Sequence, residues 1–126
     1  MNLERFLKRI VKQVLSREKV RAEAKVIFLD RQEIKELNRR YRKKNQATDV
    51  LAFPADEKSY LGEILLCQEK IKENAARFNQ PFERELARTA IHGLLHLLGY
   101  NHERGGKEAK KMIEQQEKYL SEIKHS

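Results

Sequence analysis

Leu3, Phe6, Leu7, Ile10, Val11, Val14 and Leu15 recur three and four residues apart, so the chain opens on an amphipathic helix. Its polar face carries Arg5, Lys8, Arg9 and Lys12. The period then changes. Ala24 to Leu29, with Val26, Ile27 and Phe28, reads as a short strand. Asp30 and Glu33 are spaced as a capping box, with Leu29 and Ile34 placed to close a hydrophobic staple across it. They predict a helix through Leu37 to about Tyr41. Asp49 to Phe53 and Leu61 to Cys67 are two further strands, joined by a polar, turn-rich stretch from Pro54 to Tyr60. Helical spacing returns over 69–78. Pro81 fits a first helical position, and Leu86, Ala90, Leu94 and Leu97 mark a long helix running to Gly99. Gly105-Gly106 then precedes a last helix carrying Met112, Ile113, Tyr119, Leu120 and Ile123. Strands and helices mix without regular βαβ alternation, which predicts an α+β fold on a small sheet.

With 126 residues, the pattern has room for one core, so residues 1–126 are read as a single domain. The 37% of charged residues predict a heavily charged surface around that core. No apolar run approaches the ~20 residues needed to cross a bilayer, and the basic-apolar N-terminus lacks the continuous apolar core of a signal peptide. No membrane partner is expected. The lone Cys67 excludes an intrachain disulfide, suggests no disulfide-linked partner and fits a cytoplasmic protein. Its place in Ile64-Leu65-Leu66-Cys67 marks a buried thiol, not a nucleophile.

The net charge of +8 is uneven. Residues 1–48 hold 15 Lys/Arg against 6 Asp/Glu, whereas residues 49–126 hold 12 against 13. Five of the six residues in Arg39-Arg40-Tyr41-Arg42-Lys43-Lys44 are basic. Such a patch beside a catalytic centre favours a polyanionic substrate, because binding releases counter-ions. Composition alone does not separate RNA from DNA or an acidic membrane surface.

The candidate centre lies in His92-Gly93-Leu94-Leu95-His96-Leu97-Leu98-Gly99-Tyr100-Asn101-His102, which holds three of the chain's four histidines. On a helix, His92 and His96 project from one face a turn apart. Gly99 offers the positive-φ position that turns the chain back and can bring His102 to the same ion. Three histidines with an open position suit a catalytic zinc ion (Zn2+); a closed structural site would need a fourth ligand such as Cys67. Imidazole also suits nickel, copper and iron. The related metalloprotease motif has a glutamate after its first histidine as general base. Gly93 stands there instead and cannot move a proton, which disfavours a protease.

Four blocks in order resemble the YbeY-type endoribonucleases, bacterial metal-dependent proteins of ribosomal RNA maturation. They are Leu37-Asn38-Arg39-Arg40-Tyr41-Arg42, Thr48-Asp49-Val50-Leu51-Ala52-Phe53-Pro54, Leu61-Gly62-Glu63-Ile64 and His92 to His102. Asn101, Glu63 and Ala52 depart from the family's usual Asp, Asp and Ser. The resemblance implies a mixed sheet of about four strands surrounded by helices, with the metal site at the end of a long helix. The fourth strand is sought from Ser59 onward. The resemblance also implies single-stranded RNA as substrate, with ribosomal RNA and the ribosome as partners. Maturation of the 16S rRNA 3′ end and ribosome quality control follow from it as expectations.

A three-histidine zinc ion lowers the pKa of a bound water to about 7 and neutralises charge on a phosphate. Arg42 is the candidate second cation, because a guanidinium can grip two phosphate oxygens; the resemblance supports a functional role for it. Asp49 and Glu63 are candidates for orienting a histidine or helping proton transfer. Glu103 is either a base or a helix-start residue, and His125 stands apart from the ligand set. Tyr41 and Tyr100 are placed either to stack on bases or to pack in the core. The function expected is a zinc-dependent endoribonuclease. The alternatives are a non-catalytic ribosome-assembly factor with a structural metal and, third, a metalloprotease.

Overall fold

The computed structural model of the chain describes residues 2–101 and 105–123. In order, the elements are α1 (Leu3–Arg17), β1 (Glu23–Leu29), α2 (Arg31–Arg42), β2 (Val50–Pro54), β3 (Tyr60–Cys67), α3 (Gln68–Arg77), α4 (Phe82–Leu97) and α5 (Gly106–Glu122). The fold is α+β. Its mixed sheet has the order β1-β3-β2, with β1 parallel and β2 antiparallel to the central β3. Among the described residues the sheet has three strands, not the expected four or so. The region from Ser59 onward is β3 itself, and the other long apolar patterns repeat at helical spacing.

The central strand explains its own composition. Ile64 and Leu66 face a cluster built from Leu7, Ile10 and Val14 of α1 and Leu86, Ile91 and Leu94 of α4. Leu65 and Cys67 point the other way, to Ile34 of α2 and Leu51 of β2. A strand covered on both faces has no polar face to show, so the period-2 alternation disappears into a continuous apolar run. Cys67 is fully buried on the α2 side, as its apolar setting predicts.

Local signals end the helices near where they were expected. The capping box is present: Glu33 N donates to Asp30 Oδ1 at 2.8 Å, and Asp30 N donates to Glu33 Oε1 at 3.0 Å. Pro81 is the N-cap residue of α4, one position earlier than expected, so its missing N–H lies just outside the helix. The long helix stops at Leu97, and Gly99 adopts φ +100 beyond it. Gly99 N donates to His96 O and Tyr100 N donates to Leu95 O, both at 3.0 Å, closing the end of α4 as a Schellman turn. Among the described residues no helix is long and apolar enough to cross a membrane.

Gly93 sets how closely α4 lies on the sheet. A Cβ added there would stand 2.9 Å from Ile64 Cγ2 and 3.1 Å from Val50 Cγ2. Both neighbours are β-branched and stiff at χ1, and Ile64 is fully buried, so neither yields cheaply. Alanine would gain about 1 kcal/mol in helix propensity but cost about 1–3 kcal/mol in overpacking. Gly93→Ala is therefore expected to lower the melting temperature by a few degrees in calorimetry. An unchanged or higher value would show that the helix can lift off the sheet freely.

Candidate functional site

α4 is buried almost all round, yet His92 and His96 stay half-exposed on its one open side. Their ring centroids lie 4.9 Å apart with planes at 76°. His92 Nδ1 is 2.8 Å from Oε1 of Gln116, on α5. An amide oxygen only accepts, so in this contact Nδ1 carries the proton and Nε2 is the ring's lone-pair nitrogen, the atom that would ligate a metal. Two imidazoles on one helical face, one with its tautomer set in this way, form a donor pair that fits a zinc ion. His102, the expected third ligand, lies outside the described residues, as do Glu103 and His125. Among the described residues no three His, Cys, Asp or Glu side chains converge as a metal cluster.

The two histidines open onto a cleft of about 520 Å³ between α4, β2 and the end of α2, lined also by Tyr41, Arg42, Asp49 and Phe53. Arg42 thus reaches the same cleft as His92 and His96 from some fifty residues away. It is the last residue of α2, because Lys43 takes a left-handed conformation at φ 58 and stops the helix. Asn38, only 2% exposed, donates from Nδ2 to Gln46 O at 2.8 Å and ties the following loop back to α2. The sequence pattern assigned Asn38 no role, since a buried amide that anchors a loop looks like any polar residue in a helix.

The charges around the cleft are not all available. Arg39 Nε donates to Glu36 Oε2 at 3.2 Å, and Arg40 Nη2 lies 3.6 Å from the same carboxylate. The bond from Arg39 holds the Glu36 carboxyl below the usual glutamate range. Glu36 therefore offsets part of the basic run. Asp49 accepts from Thr48 Oγ1 and Asn74 Nδ2, each at 3.3 Å, while its backbone oxygen accepts from Cys67 N at 2.9 Å. Glu63 sits on β3 opposite Phe53 and Lys25, outside the lining of the cleft. Tyr100 has the packing role: its hydroxyl donates to Glu18 Oε1 at 3.1 Å, and burial pushes its pKa up. Glu85, buried on α4 two turns before His92, is a carboxyl that sequence spacing did not pick out. Burial raises its pKa, Arg88 opposes that, and the charges of Asp49 and Glu117 add to it.

Residues 1–124 match the family described as endoribonuclease YbeY. An endoribonuclease YbeY of Thermotoga maritima is 44% identical over 122 residues, covering 97% of this chain and 79% of the relative. One from Aquifex aeolicus is 42% identical over 105 residues, covering 80% of this chain and 70% of its own. A solution structure of a Thermotoga maritima protein matches with a TM-score of 0.70 at 43% identity, over 93% of this chain and 78% of that one. The chain belongs to the endoribonuclease YbeY family.

For a YbeY-family chain, two features of this site bear on the other readings weighed from sequence. A side chain at position 93 would run into Ile64 and Val50, so the place of the protease glutamate is taken up by helix-sheet packing. Cys67 packs with Ile34, Leu51 and Leu65, on the face of the sheet away from the α4 cluster, which removes it as a fourth ligand beside His92 and His96. Of the three positions that depart from the family pattern, Ala52 lines the cleft, Glu63 does not, and Asn101 follows the turn that ends α4. Gln116 is the residue of this site that sequence reading missed. Its only signal was a position on a helix that no motif connects to His92.

Proposed function

We propose that this chain is a zinc-dependent endoribonuclease that cleaves single-stranded RNA in ribosomal RNA maturation, at the 3′ end of 16S rRNA, and in ribosome quality control. Family membership supports the nuclease chemistry. The observation that supports the site is the shared cleft, lined by Arg42 of α2 and by His92 and His96 of α4. The excess of Lys/Arg over residues 1–48 supports a polyanionic substrate.

His92, His96 and His102 would hold the ion. When bound, zinc supplies Lewis acidity and positive charge at neutral pH beside the phosphorus. Gln116 keeps the proton of His92 on Nδ1, so that Nε2 is the nitrogen that would ligate the ion. Arg42 presents paired N–H donors to two phosphate oxygens, seating the phosphodiester and balancing charge that grows as the P–O bond breaks. Lys43 and Lys44 follow it in sequence and draw the RNA backbone toward the cleft.

Metal removal tests this reading. Purified protein is expected to contain about one zinc per chain by elemental analysis, consistent with a single three-ligand site. Chelation should abolish cleavage of a single-stranded RNA, zinc should restore it, and the same sequence as a duplex should resist. Undiminished cleavage by metal-free protein would sink the proposal. Full zinc with no cleavage after rigorous purification would favour a binding factor with a structural metal.

A further inference from the structure

Tyr41 is the most exposed large hydrophobic side chain among the described residues, at 61%, where Phe78 stands at 57% and Ile113 at 56%. Of these three it alone lines the cleft. An exposed aromatic ring forgoes burial that would favour the fold, so its place at the mouth of a site points to an apolar, planar ligand. The ring is also held. It meets Phe53 edge to face, with centroids 5.3 Å apart and planes at 73°. Phe53 is half-buried against the cluster of Ile34, Leu51, Leu65 and Cys67, so the support reaches into the core. Tyr100, the other tyrosine considered for stacking, is engaged with Glu18.

The neighbour of Tyr41 is Arg42, which lines the same cleft. Successive helical residues point about 100° apart, so the two side chains diverge and can flank one sugar without competing for a single position. A nucleotide carries its base and its phosphate on that sugar. An aromatic ring beside a guanidinium therefore matches one nucleotide in two places at once.

We propose that Tyr41, backed by Phe53, is a stacking platform that seats one unpaired nucleobase beside the phosphate gripped by Arg42. This rests on the RNA-cleaving reading above and extends it to the origin of single-strand preference. A base inside a duplex has both faces covered by its neighbours and must unstack before it can lie on Tyr41, whereas a single-stranded base offers its face at little cost. Stacking tolerates any base, so the platform contributes affinity and strand preference without reading sequence.

Binding, not turnover, tests the platform. Zinc-loaded wild type, Tyr41→Phe and Tyr41→Leu would be titrated with a short single-stranded RNA carrying 2-aminopurine, and with its duplex. Tyr41→Leu is expected to weaken single-strand binding roughly tenfold to a hundredfold and to lose the fluorescence quenching that stacking causes. Tyr41→Phe should keep both, and duplex binding should not change in either variant. At an exposed position all three proteins should melt within a few degrees of one another, Tyr41→Leu losing only the edge contact with Phe53, which separates lost stacking from lost fold. Wild-type affinity and quenching in Tyr41→Leu would overturn the platform and leave the RNA reading standing. A wild type that binds no RNA would overturn both. An equal loss of duplex and single-strand binding would show a general contact and overturn the platform alone.

Discussion

His96→Ala is expected to leave the purified protein without stoichiometric zinc and to lower RNA cleavage roughly a thousandfold, the scale of several kcal/mol of lost metal stabilisation. A three-ligand site keeps no spare donor, so two histidines cannot retain the ion as three do. The fold should survive, because His96 is half-exposed near the end of α4 and alanine suits a helix better than histidine. Elemental analysis, cleavage and a melting curve on the same preparation keep the two explanations apart. His92→Ala should behave alike and would also leave Gln116 without its 2.8 Å partner. A His96→Ala protein with full zinc and wild-type cleavage would remove the metal centre from this cleft.

Arg42→Ala is expected to lower kcat by about a hundredfold to a thousandfold, the range for removing one preorganised donor from a developing oxyanion. Zinc content and RNA affinity should change little, since the grip on phosphate strengthens as charge grows in the transition state and one phosphate contact among several contributes little to ground-state binding. Arg42→Lys should recover part of the loss, because one ammonium cannot reproduce a two-point grip on phosphate. The side chain is exposed at the last residue of α2, so neither substitution is expected to disturb the core. The result also separates Arg42 from its neighbour: loss of Tyr41 should show in binding, loss of Arg42 in turnover. Full activity in Arg42→Ala would sink the assignment, and charge stabilisation would fall to the ion or to another cation.

Elements encoded by neighbours in the chain were legible before the structure. The apolar spacing of α1, the Asp30–Glu33 capping box and the strands β1, β2 and β3 fell within about two residues of their observed bounds. The pairing of His92 with His96 belongs to the same class, because residues four apart on a helix share a face whatever surrounds them. Gly99 was readable as a helix end for an equally local reason, the positive φ that only the turn requires.

What joins distant segments was not legible. A count of about four strands became three among the described residues, because strand number depends on which edges find partners, and no single segment records that. The place of Arg42 in one cleft with His92 depends on where α2 ends relative to β2 and α4. Gln116 reaches His92 only because α5 packs on α4. Gly93 read in sequence as a missing base; in the fold it is the close approach of α4 to Ile64 and Val50. Tyr41 and Tyr100 looked equivalent as candidates for stacking or core, yet one stands in the cleft and the other bonds Glu18. By itself the sequence determined the helices, the strands, the family and the histidine pair, since these follow from short-range periodicity and fixed spacing. Only the tertiary structure decided the cleft and its partners, because contacts across many residues depend on the packing of whole elements.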